Sequence, residues 1–208
     1  SVKYYSNGNI YGDLFAELAN LDPSSYDLET NFLVSLPGQP GTGESPGAGD
    51  GAIPFGRDAL KFIGIGDGNL EFGKGIKVAV IDSGIQEHET FSGKNILEYD
   101  LVRDANGNLV PIDSNNGHGT AVASIIAGSD PRYSGVAPAA EILSYRVLDN
   151  DGYSDSYTLA EAIIQATDSG ADIINISLGS KGDSGIVRRA VDYANDSGVL
   201  IVAATGNE

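Results

Sequence analysis

Asp82 and His118 are the two side chains whose types and surroundings could do acid–base chemistry together. His118 stands between Gly117 and Gly119, at the head of the run HGTAVASIIA (118–127), where Val122, Ile125 and Ile126 recur at helical spacing. An imidazole in the first turn of a helix, inside a glycine-bordered loop, has room for a reactant and keeps one nitrogen available. Asp82 closes the run KVAVID and precedes Ser83-Gly84. Taken singly, Asp82 reads as a strand-end carboxylate capping a turn, and His118 as an ordinary helix-start histidine. Taken together, they read as an orienter and a base. The carboxylate would accept from one imidazole N–H, fix the tautomer, and stabilise the imidazolium formed when the other nitrogen takes a proton. Asn207, in Thr205-Gly206-Asn207, follows another apolar run and reads on its own as a turn residue.

The elements that must position these residues are legible as alternating apolar runs and helical patterns. KVAVI (77–81), EILSYRV (141–147), DIINIS (172–177) and VLIVAAT (199–205) read as strands. Helices are predicted over 118–127, about 155–169 and about 184–196. Nearly continuous apolar strands separated by helices predict an α/β fold: a doubly wound, mostly parallel sheet with helices on both faces. Ligands in such sheets bind outside the carboxyl ends of the strands, where Asp82 would sit. Before this domain, residues 37–51 (PGQPGTGESPGAGDG) read as a Gly/Pro-rich linker. Residues 1–51 are therefore set apart as an N-terminal extension from a domain over 52–208. The extension carries a predicted helix from Ile10 to Leu21 and an apolar patch at Phe32, Leu33 and Val34. Residues 1–36 are too few to hold a core alone; they are expected to dock on the domain or to be a propeptide remnant.

Five segments in order, VAVIDSGI (78–85), NNGHGTAVASIIAG (115–128), GVAPAAEI (135–142), INISLGS (174–180) and VLIVAATGNE (199–208), resemble successive motifs of the subtilisin-like serine peptidases. The resemblance implies that Asp82 is the catalytic aspartate, His118 the general base and Asn207 the oxyanion donor. It further implies that Gly152-Tyr153-Ser154 and Ser177-Leu178-Gly179 are two edges that clamp an extended peptide as a strand between them. Glu208 matches a residue near the base of the first specificity pocket. The family's nucleophile lies in a later Gly-Thr-Ser-Met motif, after the aspartate and the histidine. No such motif follows Asn207 here, and Ser45, in GTGES, lies on the wrong side of Asp82. The expectation is a domain incomplete at its C-terminus, either a fragment or a nicked protease whose second chain carries the serine. A serine-less relative that grips peptide without cutting it is the alternative.

Other departures bear on metals. Ala121 replaces the family's second histidine, Thr90 stands near an expected calcium ligand, and the loop GSDPRYSG (128–135) is short. Asp149-Asn150-Asp151-Gly152 with Asp155 is calcium-like but reads better as an acidic turn. Calcium thus enters only as a structural ion without an assigned site. His88 reads as a loop or packing residue, and two histidines with no cysteine make a zinc site improbable. Gly64-Ile65-Gly66-Asp67-Gly68 precedes a strand rather than leading from one into a helix, which disfavours a nucleotide site.

The charge balance, 29 acidic against 12 basic residues, argues against nucleic acid or anionic membrane as partners. No apolar stretch has the length of about 18 residues that a spanning helix needs. The polar opening SVKYYSNGNIYG is no signal peptide, and the lack of methionine predicts a processed or trimmed chain. With the family resemblance, this composition suggests a secreted or extracytoplasmic bacterial protein acting on peptide or protein.

Overall fold

A strand buried on both faces has no polar side to show, so its sequence is an unbroken apolar run rather than an alternation. KVAVI is such a run, and it forms the centre of the molecule. A computed structural model describes residues 33–35, 60–61, 63–65, 69–112, 117–130, 134–180 and 182–204. In chain order the elements are β1 (Leu33–Ser35), β2 (Lys77–Asp82), β3 (Ile96–Asp100), α1 (His118–Ala127), β4 (Glu141–Arg146), β5 (Tyr153–Asp155), α2 (Ser156–Asp168), β6 (Ile173–Ile176), β7 (Gly179–Ser180), α3 (Gly185–Asp196) and β8 (Leu200–Ala203). Single turns of 3-10 helix lie at Asn69–Glu71 and Glu89–Phe91.

Five strands form one sheet in the order β3-β4-β2-β6-β8, with every neighbouring pair parallel. The side chains of β2 sort its two faces. Val78 and Val80 pack in one cluster with Ala123 and Ala127 of α1. Ala79 and Ile81 pack in the other with Ile163 and Ala166 of α2 and Ala190 and Ala194 of α3. The sheet is therefore covered on both faces, as the sequence pattern predicts for a doubly wound α/β fold. At one edge, β8 leaves Leu200 (59%) and Val202 (49%) exposed.

Local chemistry sets the helix ends. The Asp155 carboxylate accepts from the Thr158 N–H at 2.9 Å and caps α2. α2 and α3 both end in Asp-Ser-Gly, at Asp168-Ser169-Gly170 and Asp196-Ser197-Gly198. Both glycines take positive φ, 75° and 81°, a conformation that costs a side-chain-bearing residue free energy. The chain turns there into β6 and β8 respectively. The strand β3 is a finding beyond the sequence reading: its pattern ILEYD is only partly buried, and it is held at the edge by Tyr99 stacked on Tyr145 with ring centroids 4.6 Å apart.

Leu33 and Val34, read as an apolar patch, lie in β1. The helix expected from Ile10 to Leu21, the linker 37–51 with Ser45, and residues 66–68 lie outside the described residues. Among the described residues no helix is long and apolar enough to cross a membrane.

Candidate active site

Side chains alternate along a strand, so Asp82 continues the row of Val78 and Val80 onto the face that α1 covers. His118 is the first residue of α1, and the two meet. His118 Nδ1 lies 2.8 Å from Asp82 Oδ1 and 2.9 Å from Oδ2. The carboxylate accepts, so Nδ1 carries the proton and Nε2 keeps its lone pair. Asp82 is fully buried, whereas the His118 side chain is 29% exposed. Such a pair can hold a base in one tautomer and offer its other nitrogen to a reactant. The hydrogen bond from His118 to Asp82 raises the imidazole pKa above its ordinary value of 6.5, against partial burial, which lowers it.

Close approach of α1 to the end of β2 makes this contact, and Gly119 permits it. A Cβ on Gly119 would lie 2.4 Å from the Gly84 carbonyl oxygen and 3.2 Å from Asp82 Cβ. Around the pair, the Ser83 N–H donates to Asp82 Oδ1 at 2.7 Å, the Gly119 N–H to Ser83 Oγ at 3.1 Å, and the Gln86 N–H to Thr120 Oγ1 at 2.9 Å. Sequence reading passed over Ser83 and Thr120. The signal for them was their place beside the two reactive residues, in Asp-Ser-Gly and His-Gly-Thr.

A third group missed from sequence is Arg146. In register, Asp100 of β3, Arg146 of β4 and Asp82 of β2 form one row across the carboxyl edge. Arg146 is buried at 2% exposure and pairs with Asp100 at 2.9 Å. Its guanidinium also donates to the Val110 carbonyl and, at 3.1 Å, to Asn150 Oδ1. With the guanidinium so engaged, the Asp82 carboxylate accepts from the imidazole and the Ser83 N–H.

The predicted peptide edges lie in a second, three-stranded antiparallel sheet of order β5-β1-β7. Tyr153 and Ser154 belong to β5, preceded by Gly152, buried with φ 81°. Gly179 opens β7, after Ser177, whose Oγ accepts from Asn175 at 3.0 Å, and buried Leu178. Between these edges runs the chain's own β1. Val34 stands opposite Ser154 and Ser180, and Ser35 opposite Tyr153 and Gly179. β5 and β7 are thus two strand spacings apart, about 9.5 Å. Val34 is 1% exposed and joins the core cluster that contains Leu148, Leu159 and Leu178.

Elsewhere the acidic residues serve the backbone. Asp149 Oδ1 accepts from the N–H groups of Asp151 and Tyr153, and Asp155 caps α2. His88 Nδ1 accepts from the Thr90 N–H at 3.2 Å, and Thr90 is buried, its carbonyl accepting from Ser129. Ala121 is on the exposed side of α1. Asn207 and Glu208 lie outside the described residues.

The model of the Subtilase family, Peptidase_S8, matches residues 73–208, about two thirds of the chain. The chain belongs to the subtilase family. Among curated relatives, this subtilase is 40% identical over 141 residues to the minor extracellular protease Epr of Bacillus subtilis (strain 168), covering 65% of the chain and 20% of that protein. It is 42% identical over 137 residues to the thermophilic serine proteinase of Bacillus sp. (strain AK1), covering 64% of the chain and 33% of the relative. With thermitase of Thermoactinomyces vulgaris the identity is 39% over 140 residues, covering 65% and 48%. The subtilase chain therefore spans less than half the length of these relatives.

Proposed function

We propose that this subtilase is the N-terminal part of a secreted bacterial serine endopeptidase, with the nucleophilic serine supplied from outside the 208 residues. The observation that carries the reading is the two-oxygen contact between Asp82 and His118 Nδ1 at the carboxyl edge of the sheet. The names of the relatives, one an extracellular protease and one a serine proteinase, support it. Peptide enters extended between Gly152-Tyr153-Ser154 and Ser177-Leu178-Gly179, in the place that β1 takes in this chain. His118 Nε2 accepts the serine proton as the oxygen attacks the peptide carbonyl, and returns it to the departing amine. Water then releases the acyl group by the same route. Asp82 steadies the imidazolium in between, and the Asn207 side-chain amide donates to the developing oxyanion. Glu208 lies next to that donor in sequence and contributes a carboxylate to the first specificity pocket.

The test uses the full-length gene product and a chromogenic peptide. Asp82→Asn is expected to lower kcat by roughly 10⁴-fold through the wrong tautomer, and His118→Ala by at least as much. Full activity in either variant would end the reading. The 208-residue chain alone should resist labelling by a fluorophosphonate probe, and acylation of any of its serines would refute the external nucleophile. The self-filled groove also suits a second reading, a subtilase-like scaffold that holds peptide without cutting it. A full-length product that binds peptide in the groove but leaves it intact would select that reading.

A further inference from the structure

Ser154 carries an unmet demand. Its Oγ is buried and, among the described residues, is the single buried side-chain oxygen or nitrogen without a hydrogen-bond partner. A buried hydroxyl left unpaired costs free energy comparable to its lost solvation, so native structures rarely keep one. Register sets one neighbour that could satisfy it. Ser154 on β5 stands directly opposite Val34 on β1, and directly opposite residues of an antiparallel pair project to the same face. Val34 is buried there and has no polar atom in its side chain. Threonine has nearly the shape of valine and differs by a hydroxyl in place of a methyl. Cross-strand Thr–Ser pairs at Cβ separations of about 5 Å form hydrogen bonds.

We propose that Ser154 makes the subsite now filled by Val34 selective for threonine in an extended peptide, so that β1 is an under-matched ligand of its own groove. The inference rests on reading the β5–β7 groove as the peptide site. It assigns Ser154 a side-chain role in specificity, beyond its place on the rim. The subsite belongs to the cluster that contains Leu159 and Leu178, and in this chain a compact β-branched residue, Val34, fills it with 1% exposure. The unpartnered oxygen adds the demand for a hydroxyl. A valine meets the fit and not the demand. Threonine meets both, and serine meets the second while leaving the volume of a methyl unfilled. The self-segment can therefore occupy the groove and still yield to a better-matched strand.

The test uses the full 208-residue chain and reads amide hydrogen exchange at residues 33–35. Val34→Thr is expected to raise protection there by roughly two- to fivefold, the yield of one cross-strand hydrogen bond. In the Ser154→Ala background the same substitution should lower protection, because a threonine hydroxyl then enters an apolar site alone. Ser154→Ala with Val34 intact should leave protection equal or slightly higher, since it removes the orphan. Loss of protection on Val34→Thr in both backgrounds, or an equal gain in both, overturns the role of Ser154. A second arm adds the synthetic peptide of residues 29–38, or its Val34→Thr form, and follows release of β1 by loss of protection at 33–35. The threonine peptide should act at a severalfold lower concentration. Equal potency overturns the selectivity. Failure of both peptides to displace β1, with the exchange result intact, instead overturns the groove reading on which selectivity depends.

Discussion

The five-stranded parallel sheet and the three-stranded β5-β1-β7 sheet are built from the same chain by opposite means. In the first, strands of four to six residues pair in parallel, helices cover both faces of the central strands, and Ala79, Ile81 and Ile174 have no exposed surface. In the second, strands of two and three residues meet across more than 100 positions of sequence, and one buried side chain, Val34, anchors the middle strand. Loop closure over such a distance must be compensated by few contacts, so this sheet belongs to the part of the molecule that opens most readily. The Asp82–His118 pair stands on the rigid sheet, and the edges proposed to clamp peptide belong to the yielding one. The proposed function, which must keep an acid and a base within 3 Å yet exchange a bound strand, calls for that division.

Substitutions separate the two. Ile81→Ala, at a site without exposed surface in the central strand, is expected to lower global stability by about 4 kcal/mol, read as a shift of the urea midpoint. Asp100→Asn leaves the buried Arg146 guanidinium without its carboxylate and should cost about 3 kcal/mol by the same measurement. Val34→Ala should behave differently. The loss of about 2 kcal/mol is confined to docking of β1, so exchange at 33–35 accelerates roughly 30-fold while the urea midpoint stays in place. A matching fall in the midpoint would show that the two sheets unfold as one unit.

The smallest effect concerns pH. His118 has a raised pKa in the folded chain, so its pairing with Asp82 contributes stability fully below about 6.5, the unfolded value, and loses it as pH rises through the folded value. Stability measured across that window should decline slightly with rising pH. In Asp82→Asn the decline should vanish, and the proton NMR titration of His118 should move below 6.5, because burial, which lowers the pKa, is then left unopposed. An unmoved titration would mean that the carboxylate does not hold the proton on Nδ1.

Much of the rigid sheet was legible because its physics is local. Nearly continuous apolar runs marked β2, β4, β6 and β8, and the helix predicted over 118–127 has those bounds in the structure. The strand runs read from sequence extend a residue or two beyond β4, β6 and β8; at β4 and β8 the apolar residues Val147, Val199 and Ala204 continue past the paired positions. The edge strand β3 was missed because Glu98 and Asp100 interrupt its apolar pattern and its hold comes from Tyr145 on another strand. The Asp82–His118 contact was legible only as a pair of motifs. Arg146 gave no sign, since a lone arginine near the end of an apolar run looks solvent-exposed until Asp100, Val110 and Asn150 converge on it. That Leu33 and Val34 would lie between the two edges is a long-range pairing, which no local pattern encodes.

The alternation along β2 gives strand length a chemical meaning. Val78, Val80 and Asp82 share the α1 side, while Ala79 and Ile81 share the other. Deleting one residue between Val78 and Ile81, with the start of the strand held in place, would turn the Asp82 carboxylate toward α2 and α3 and bring the Ser83 hydroxyl to the position facing the imidazole. In this molecule, counting to six matters as much to reactivity as which acid comes last.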